Sequence, residues 1–249
     1  GVLVLKLYAS DQTSSMKMPW VILILVFPIM GVGLYLLIGL NGGTLKMRER
    51  YAQIDRELLP LLPNDSECRE TLGRKIPKAG NIADYIQRNA SYPLYQNTDV
   101  IYYDEAVKGL EAQLEDLAKA EKFIFMEYHA IEDAQAWHKI QSVLEDRVKA
   151  GVDVRVFYDD MGSIGFINTD FIKKMEKVGI HCRVFNPFTP GLNVFLNNRD
   201  HRKITVIDGK VGFTGGYNLA NEYFNFTHPY GQWKDTGIRL EGEAVRSLT

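Results

Sequence analysis

Cysteine is scarce in this chain: Cys68 and Cys182 are the only two among 249 residues. They show no metal-ligand spacing and supply no disulfide framework, so they read as two thiols of a reducing compartment. Net charge is equally slight, because 29 Lys and Arg against 31 Asp and Glu leave −2. No bulk attraction to nucleic acid follows, and a DNA or RNA substrate would need a local basic patch. Tandem repeats and low-complexity tracts are lacking as well, which excludes solenoids and arrays. Charge disappears altogether between Lys17 and Lys46.

That uncharged stretch is the first positive feature. Trp20 to Leu40 is dominated by Val, Ile, Leu, Phe and Gly. About 20 apolar residues suffice to cross a bilayer as a helix, so a transmembrane helix over about 19–40 is expected. Trp20 suits an interfacial belt, and Pro28, Gly31 and Gly33 are tolerated in such helices. A signal peptide competes, but the run exceeds a usual signal core and no small-x-small cleavage site precedes the charged stretch. Gly1 to Leu5 reads as the tail of an earlier span, with Lys6 to Lys17 as a short external loop. Lys46, Arg48 and Arg50 follow the main span, so the positive-inside rule places the remainder in the cytoplasm.

The expected organisation is a membrane region at 1–45, a linker or collar at 46–100 and a catalytic domain at 101–249. In the collar, short helices are expected at Tyr51 to Leu59 and Asn81 to Asn89. From Ile101 the pattern is α/β. Helices are expected at Ala106 to Ala120, Ala134 to Ala150 and Asn168 to Val178, and strands at Phe123 to Tyr128, Val152 to Tyr158 and His181 to Phe185. This alternation predicts a layered α/β domain. Contiguous apolar residues such as Val154, Val156 and Phe157 suit a sheet covered on both faces.

The chemistry-bearing stretch lies near the C-terminal end: His201-Arg202-Lys203, then Asp208, then Gly215-Gly216-Tyr217-Asn218. A chain of this composition would hold that whole pattern by chance about once in 100,000. His201 to Ile207 alternates as a strand, with His201, Lys203, Thr205 and Ile207 on one face and Arg202 on the other. Asp208-Gly209 is a tight-turn dipeptide leading into a returning strand at Val211 to Phe213. A largely neutral imidazole can attack phosphorus without a base. Lys203 would neutralise phosphate oxygens, Asn218 would add a hydrogen bond, and Gly215 and Gly216 would let a ligand approach the backbone. Asp208 falls off the His/Lys face, so turn-former and catalytic group are both open readings for it. No metal or other cofactor is suggested.

The stretch resembles the HKD motif of the phospholipase D superfamily. More narrowly, Asn198 to Glu222 with Tyr230 to Thr236 is similar to bacterial cardiolipin synthases, as are Phe123 to Tyr128, Gly151 to Val156, Tyr158 to Ser163 and the apolar N-terminus. The resemblance implies a cell-membrane enzyme, multi-pass and with a cytoplasmic site, that joins two phosphatidylglycerol molecules into cardiolipin and releases glycerol. It implies His201 as the nucleophile that carries the phosphatidyl group, with Lys203 and Asn218 holding its phosphate. The alternative is a phospholipase D-type phosphodiesterase or a membrane-anchored nuclease that uses one motif per chain as a homodimer.

Other polar residues admit two readings. Glu127 ends a strand, where it either supports the site from outside or forms a surface ion pair. Asp159 and Asp160 follow a buried strand and suit turn chemistry better than a metal. His129 and His138 default to structural roles. Tyr217, Tyr223, Phe224 and Trp233 suit core packing, or the lining of an acyl-chain entrance.

The family's single polypeptides carry two such motifs, the second histidine acting as general acid and base. Here His129, His138, His181 and His228 are not followed by Lys two residues on. With Gly1 in place of Met and Thr249 just past a strand-like Thr236 to Leu240, the expectation is the N-terminal half of a longer enzyme. Its missing half would come from the same chain or a second subunit, with no nucleic acid as partner. The purified 249-residue chain should therefore show no phosphatidyl transfer unless it dimerises. Turnover by a monomer, established by light scattering in the assay buffer, would refute this.

Overall fold

The computed structural model describes residues 1–10, 14–39, 42–63, 66–188 and 199–249. It divides into two compact units, Gly1–Leu61 and Leu62–Thr249.

The first unit is helical: α1 (Val2–Ala9), α2 (Ser14–Val26), α3 (Pro28–Leu34), a π-helical turn at Tyr35–Gly39, and α4 (Gly42–Leu58). The apolar run is thus helical, but it is not the single helix expected over 19–40. It breaks at Phe27, whose φ of −127° and ψ of 76° lie outside the helical region. Pro28 causes this, because its ring disfavours the α conformation in the residue before it. After the break the chain turns back so closely that a Cβ on Gly31 would stand 2.7 Å from the Leu23 carbonyl. No described helix is long and apolar enough to cross a membrane. Many of the run's side chains nonetheless face outward, with Ile29 92% and Leu37 80% exposed, while Ile24 is buried.

The second unit begins with a helical pair, α5 (Ser66–Lys75) and α6 (Pro77–Ala90), followed by a seven-stranded mixed sheet. Its strands are β1 (Thr98–Tyr103), β2 (Phe123–Tyr128), β3 (Asp153–Asp159), β4 (His181–Phe185), β5 (Lys203–Ile207), β6 (Val211–Gly215) and β7 (Gly237–Gly242). Their order is β1-β7-β6-β5-β2-β3-β4. β2, β3 and β4 run parallel, joined through α8 (Gln135–Lys149) and α10 (Phe171–Lys177), and the other pairings are antiparallel. The parallel half follows from crossovers long enough to hold a helix, whereas in the antiparallel half β5 and β6 are joined by a tight return. Gly151 and Gly179 end α8 and α10 at positive φ, which residues with a Cβ adopt only with strain.

The core lies on one face of the sheet. Ile124, Met126 and Tyr128 of β2 alternate with half-exposed Phe123, Phe125 and Glu127, while Val154, Val156 and Tyr158 do the same on β3. The buried set packs against α7 (Ala106–Leu117), α8 and α10 through Leu110, Trp137, Ile140 and Phe171. The opposite face differs from the two-sided burial expected. Phe125, Phe157, Ile204 and Val206 line a basin of about 550 Å³ with Arg155 and Arg183.

The β5–β6 return depends on Asp208. It and Gly209 both have positive φ (54° and 66°), as a tight hairpin turn requires. The Asp208 carboxylate accepts the backbone N–H groups of Glu121, Lys122 and Phe123 at 2.9, 2.7 and 2.9 Å, tying the turn to the start of β2. Burial works to raise this carboxyl, but the three amides outweigh it and hold it below the usual carboxylate range. Asp208→Ala should therefore cost about 1–3 kcal/mol by denaturant unfolding. A depressed folded value means the contribution is present above the unfolded value near 3.9 and is lost as pH falls through the lower folded one. Equal unfolding midpoints for parent and variant at pH 7 would contradict this role.

Candidate functional site

The site forms where β2 and β5 end side by side. In their antiparallel register Tyr128 faces Lys203, and the pairing continues one step further, with the His129 N–H donating to the Arg202 carbonyl at 3.1 Å. The sheet thus brings the residues after Tyr128 against those before Lys203. His129 and His201 meet there, with ring centroids 4.6 Å apart and planes inclined by 59°. The default structural role expected for His129 misses this contact.

Lys203 shares a face of β5 with Thr205, as strand parity predicts, and that face packs on the helices. Lys203 is 5% exposed, and its Nζ donates to the His201 carbonyl at 2.9 Å. Burial pulls its ammonium below the ordinary lysine value, while Asp235 and Asp200 act in the opposite direction. His201 is solvent-exposed and is held below the ordinary histidine value, first by the charge of Lys203, then by partial burial and by His129. A neutral ring keeps a lone pair for attack.

Behind His201 the chain is anchored by Asp159, whose carboxylate is fully buried. It caps the short α9 (Asp160–Ser163) by accepting the Gly162 N–H at 3.1 Å, accepts Arg199 Nη1 at 3.1 Å, and accepts the Asp200 N–H at 2.8 Å. Turn chemistry is therefore one of its jobs, and holding the segment ahead of His201 is the other. Asn198, where the resemblance begins, lies outside the described residues.

Asn218 is 2% exposed. Its Oδ1 accepts the Ala130 N–H at 3.1 Å, and its Nδ2 donates to the Tyr223 hydroxyl at 2.8 Å. One of its two N–H donors is thus engaged within the protein. Gly215 and Gly216 leave room for the chain that enters β7. A Cβ on Gly215 would sit 2.6 Å from the Thr236 carbonyl, and one on Gly216 would sit 2.1 Å from the Asp235 carboxylate. Without a Cβ, Gly216 leaves room for Asp235, just before β7, whose charge acts on Lys203. Spacing within the motif could not reveal Asp235, because the β6–β7 pairing brings it in.

Asp208 stands apart. Five residues beyond Lys203 at about 3.4 Å each, it is at the far end of β5, with its carboxylate committed to three amides. Glu127 and Arg202 share the other face, as parity predicts for Arg202. Arg202 Nη2 lies 2.6 Å from Glu127 Oε1, and its Nε bonds Asp200 at 3.1 Å. Burial, then the neighbouring Asp200, raise Glu127 to about 8, while Asp200 stays low. Tyr217 and Phe224 are buried core residues, whereas Tyr223, bonded to Asn218, packs tilted against Trp233 with ring centroids 4.7 Å apart. Among the described residues no group of three or more His, Cys, Asp or Glu is arranged to hold a metal ion.

Residues 114–231, which hold this imidazole, ammonium and amide, match the family model described as the cardiolipin synthase, phospholipase D-like domain. Residues 114–231 belong to the phospholipase D-like family. Residues 2–39 match a second model, the phospholipase D-nuclease N-terminal region. Among relatives, an uncharacterized protein of Streptococcus mutans is 39% identical over 99% of this chain and 53% of its own length. A cardiolipin synthase of Oceanobacillus iheyensis is 31% identical over 100% of this chain and 52% of its own. The major cardiolipin synthase of Bacillus subtilis is 29% identical over 98% and 52%. The chain spans about half the length of the curated relatives it matches. Within it the phospholipase D-like domain carries a single HKD motif.

The electrostatics yield a direct check. By NMR, the His201 ring should titrate below 6.5, and Lys203→Met should shift it upward, since removing a cation favours the protonated ring. An unchanged titration would show that Lys203 does not act on the His201 ring.

Proposed function

We propose that this chain supplies the nucleophilic half of a phosphatidyltransferase that condenses two phosphatidylglycerol molecules into cardiolipin and glycerol. The carrying observation is the neutral, exposed His201 ring beside the desolvated ammonium of Lys203. An imidazole nitrogen attacks phosphorus, the phosphorus–oxygen bond to the headgroup glycerol breaks, and that oxygen leaves with a proton from a general acid. In the second step a glycerol hydroxyl of another phosphatidylglycerol attacks the phosphatidyl-histidine, giving its proton to the same group and freeing His201. Lys203 and the remaining N–H of Asn218 stabilise the charge on the phosphate oxygens as it develops. The second histidine comes from the other half of the enzyme, in the same polypeptide or a second subunit. Asp208 acts through the fold, not at phosphorus.

Cardiolipin synthases among the relatives at about 30% identity support the lipid substrate. The outward apolar side chains of the N-terminal unit support placement at the bacterial cell membrane, with the catalytic unit on the cytoplasmic side by the positive-inside rule. In the assembled enzyme that provides the second histidine, His201→Ala should lower phosphatidylglycerol consumption by about 1,000-fold or more. Normal glycerol release by that variant would remove His201 as the nucleophile.

A further inference from the structure

Two imidazoles meet in this site although the motif contains one. His129 is mostly buried, with its side chain 20% exposed. Its Nδ1 lies 2.8 Å from the Asp200 carbonyl, which only accepts, so Nδ1 carries the proton. Its ring edge is seated against Gly162, where a Cβ would come within 2.7 Å of both Cε1 and Nε2. Asp159, which caps the helix containing Gly162, also binds the Asp200 N–H. The Asp200 peptide groups are therefore held from both ends, by Asp159 at the nitrogen and by His129 at the oxygen. His201 is the next residue, and its ring rests on that of His129.

We propose that His129 is a positioning residue for the nucleophile: its Nδ1–H bond to the Asp200 carbonyl and the wall of its ring hold His201 in the orientation for attack at phosphorus. A general-acid role fits the geometry poorly. In-line displacement puts the leaving group across phosphorus from the nucleophile, whereas His129 packs directly against His201. This inference rests on His201 being the nucleophile, but not on any particular lipid.

The test uses the whole chain and a donor that needs no second histidine. With phosphoramidate, an imidazole nitrogen bonds to phosphorus and the phosphorus–nitrogen bond breaks. Ammonia leaves with that electron pair, and the ring's remaining N–H proton passes to solvent. Phosphohistidine is read by intact mass and 31P NMR, with His201→Ala as the blank. His129→Phe keeps a ring but no donor, and should slow labelling about 10-fold at unchanged melting temperature. His129→Asn restores a donor near the Nδ1 position and should come within about twofold of the parent. Equal rates for parent and His129→Phe overturn the proposal, as does an equally slow His129→Asn. Long-range 1H–15N spectra test it without any reagent, and an Nε2–H tautomer for neutral His129 overturns it even if no label forms. Absence of label on a parent with the Nδ1–H tautomer counts against His201 as nucleophile, and so against the function proposed above. In that case, His201 resonances that move in His129→Phe and return in His129→Asn sustain the positioning role, and resonances that do not move overturn it.

Discussion

Everything at this site depends on the buried carboxylate of Asp159. A carboxylate removed from water is costly unless its oxygens are filled and its charge balanced, and replacing one partner of such a pair typically costs about 3–5 kcal/mol. Here the Gly162 and Asp200 amides and the Arg199 guanidinium meet that need. Those partners lie on either side of a connection more than thirty residues long. Satisfying one carboxylate therefore fixes where the chain re-enters the sheet, and with it the position of His201.

The two faces of β5 divide the chemistry. On the packed face Lys203 is desolvated, so little water screens its cation and its field on the neighbouring His201 is strong. On the other face Arg202 is occupied by Glu127 and Asp200 and so has no claim on the ligand. A one-residue slip in register would exchange those fates, since alternate residues face opposite ways. Three features oppose such a slip: the Asp208 turn, the β2 pairing, and the buried bonds of Thr205 to Gln113 and Tyr128 at 2.8 and 3.0 Å.

Much of this was legible in the residue pattern. β2 and β4 fall where alternation and β-branched content place them, and α8 and α10 stop before glycines at positive φ. β1 was not anticipated, because Thr98–Tyr103 is an edge strand paired only with β7, more than 130 residues away, and its mostly exposed residues carry no alternation. α5 was missed because its polar residues bury little beyond Cys68. The expected helix over 19–40 failed on one local rule: hydropathy measures length, whereas the residue before a proline resists the helical conformation.

His201, Lys203, the turn at Asp208 and the face assigned to Arg202 were determined by the sequence alone, because strand parity and turn chemistry act over a few residues. His129, Asp159 and Asp235 entered the site only with the tertiary structure. Each lies 34 or more residues from His201 along the chain and reaches it through sheet pairing or a buried charge. Gly215 and Gly216 were likewise visible in the motif, but the atoms packed against them were not. These glycines admit a neighbouring strand, and only packing shows which atom would otherwise collide.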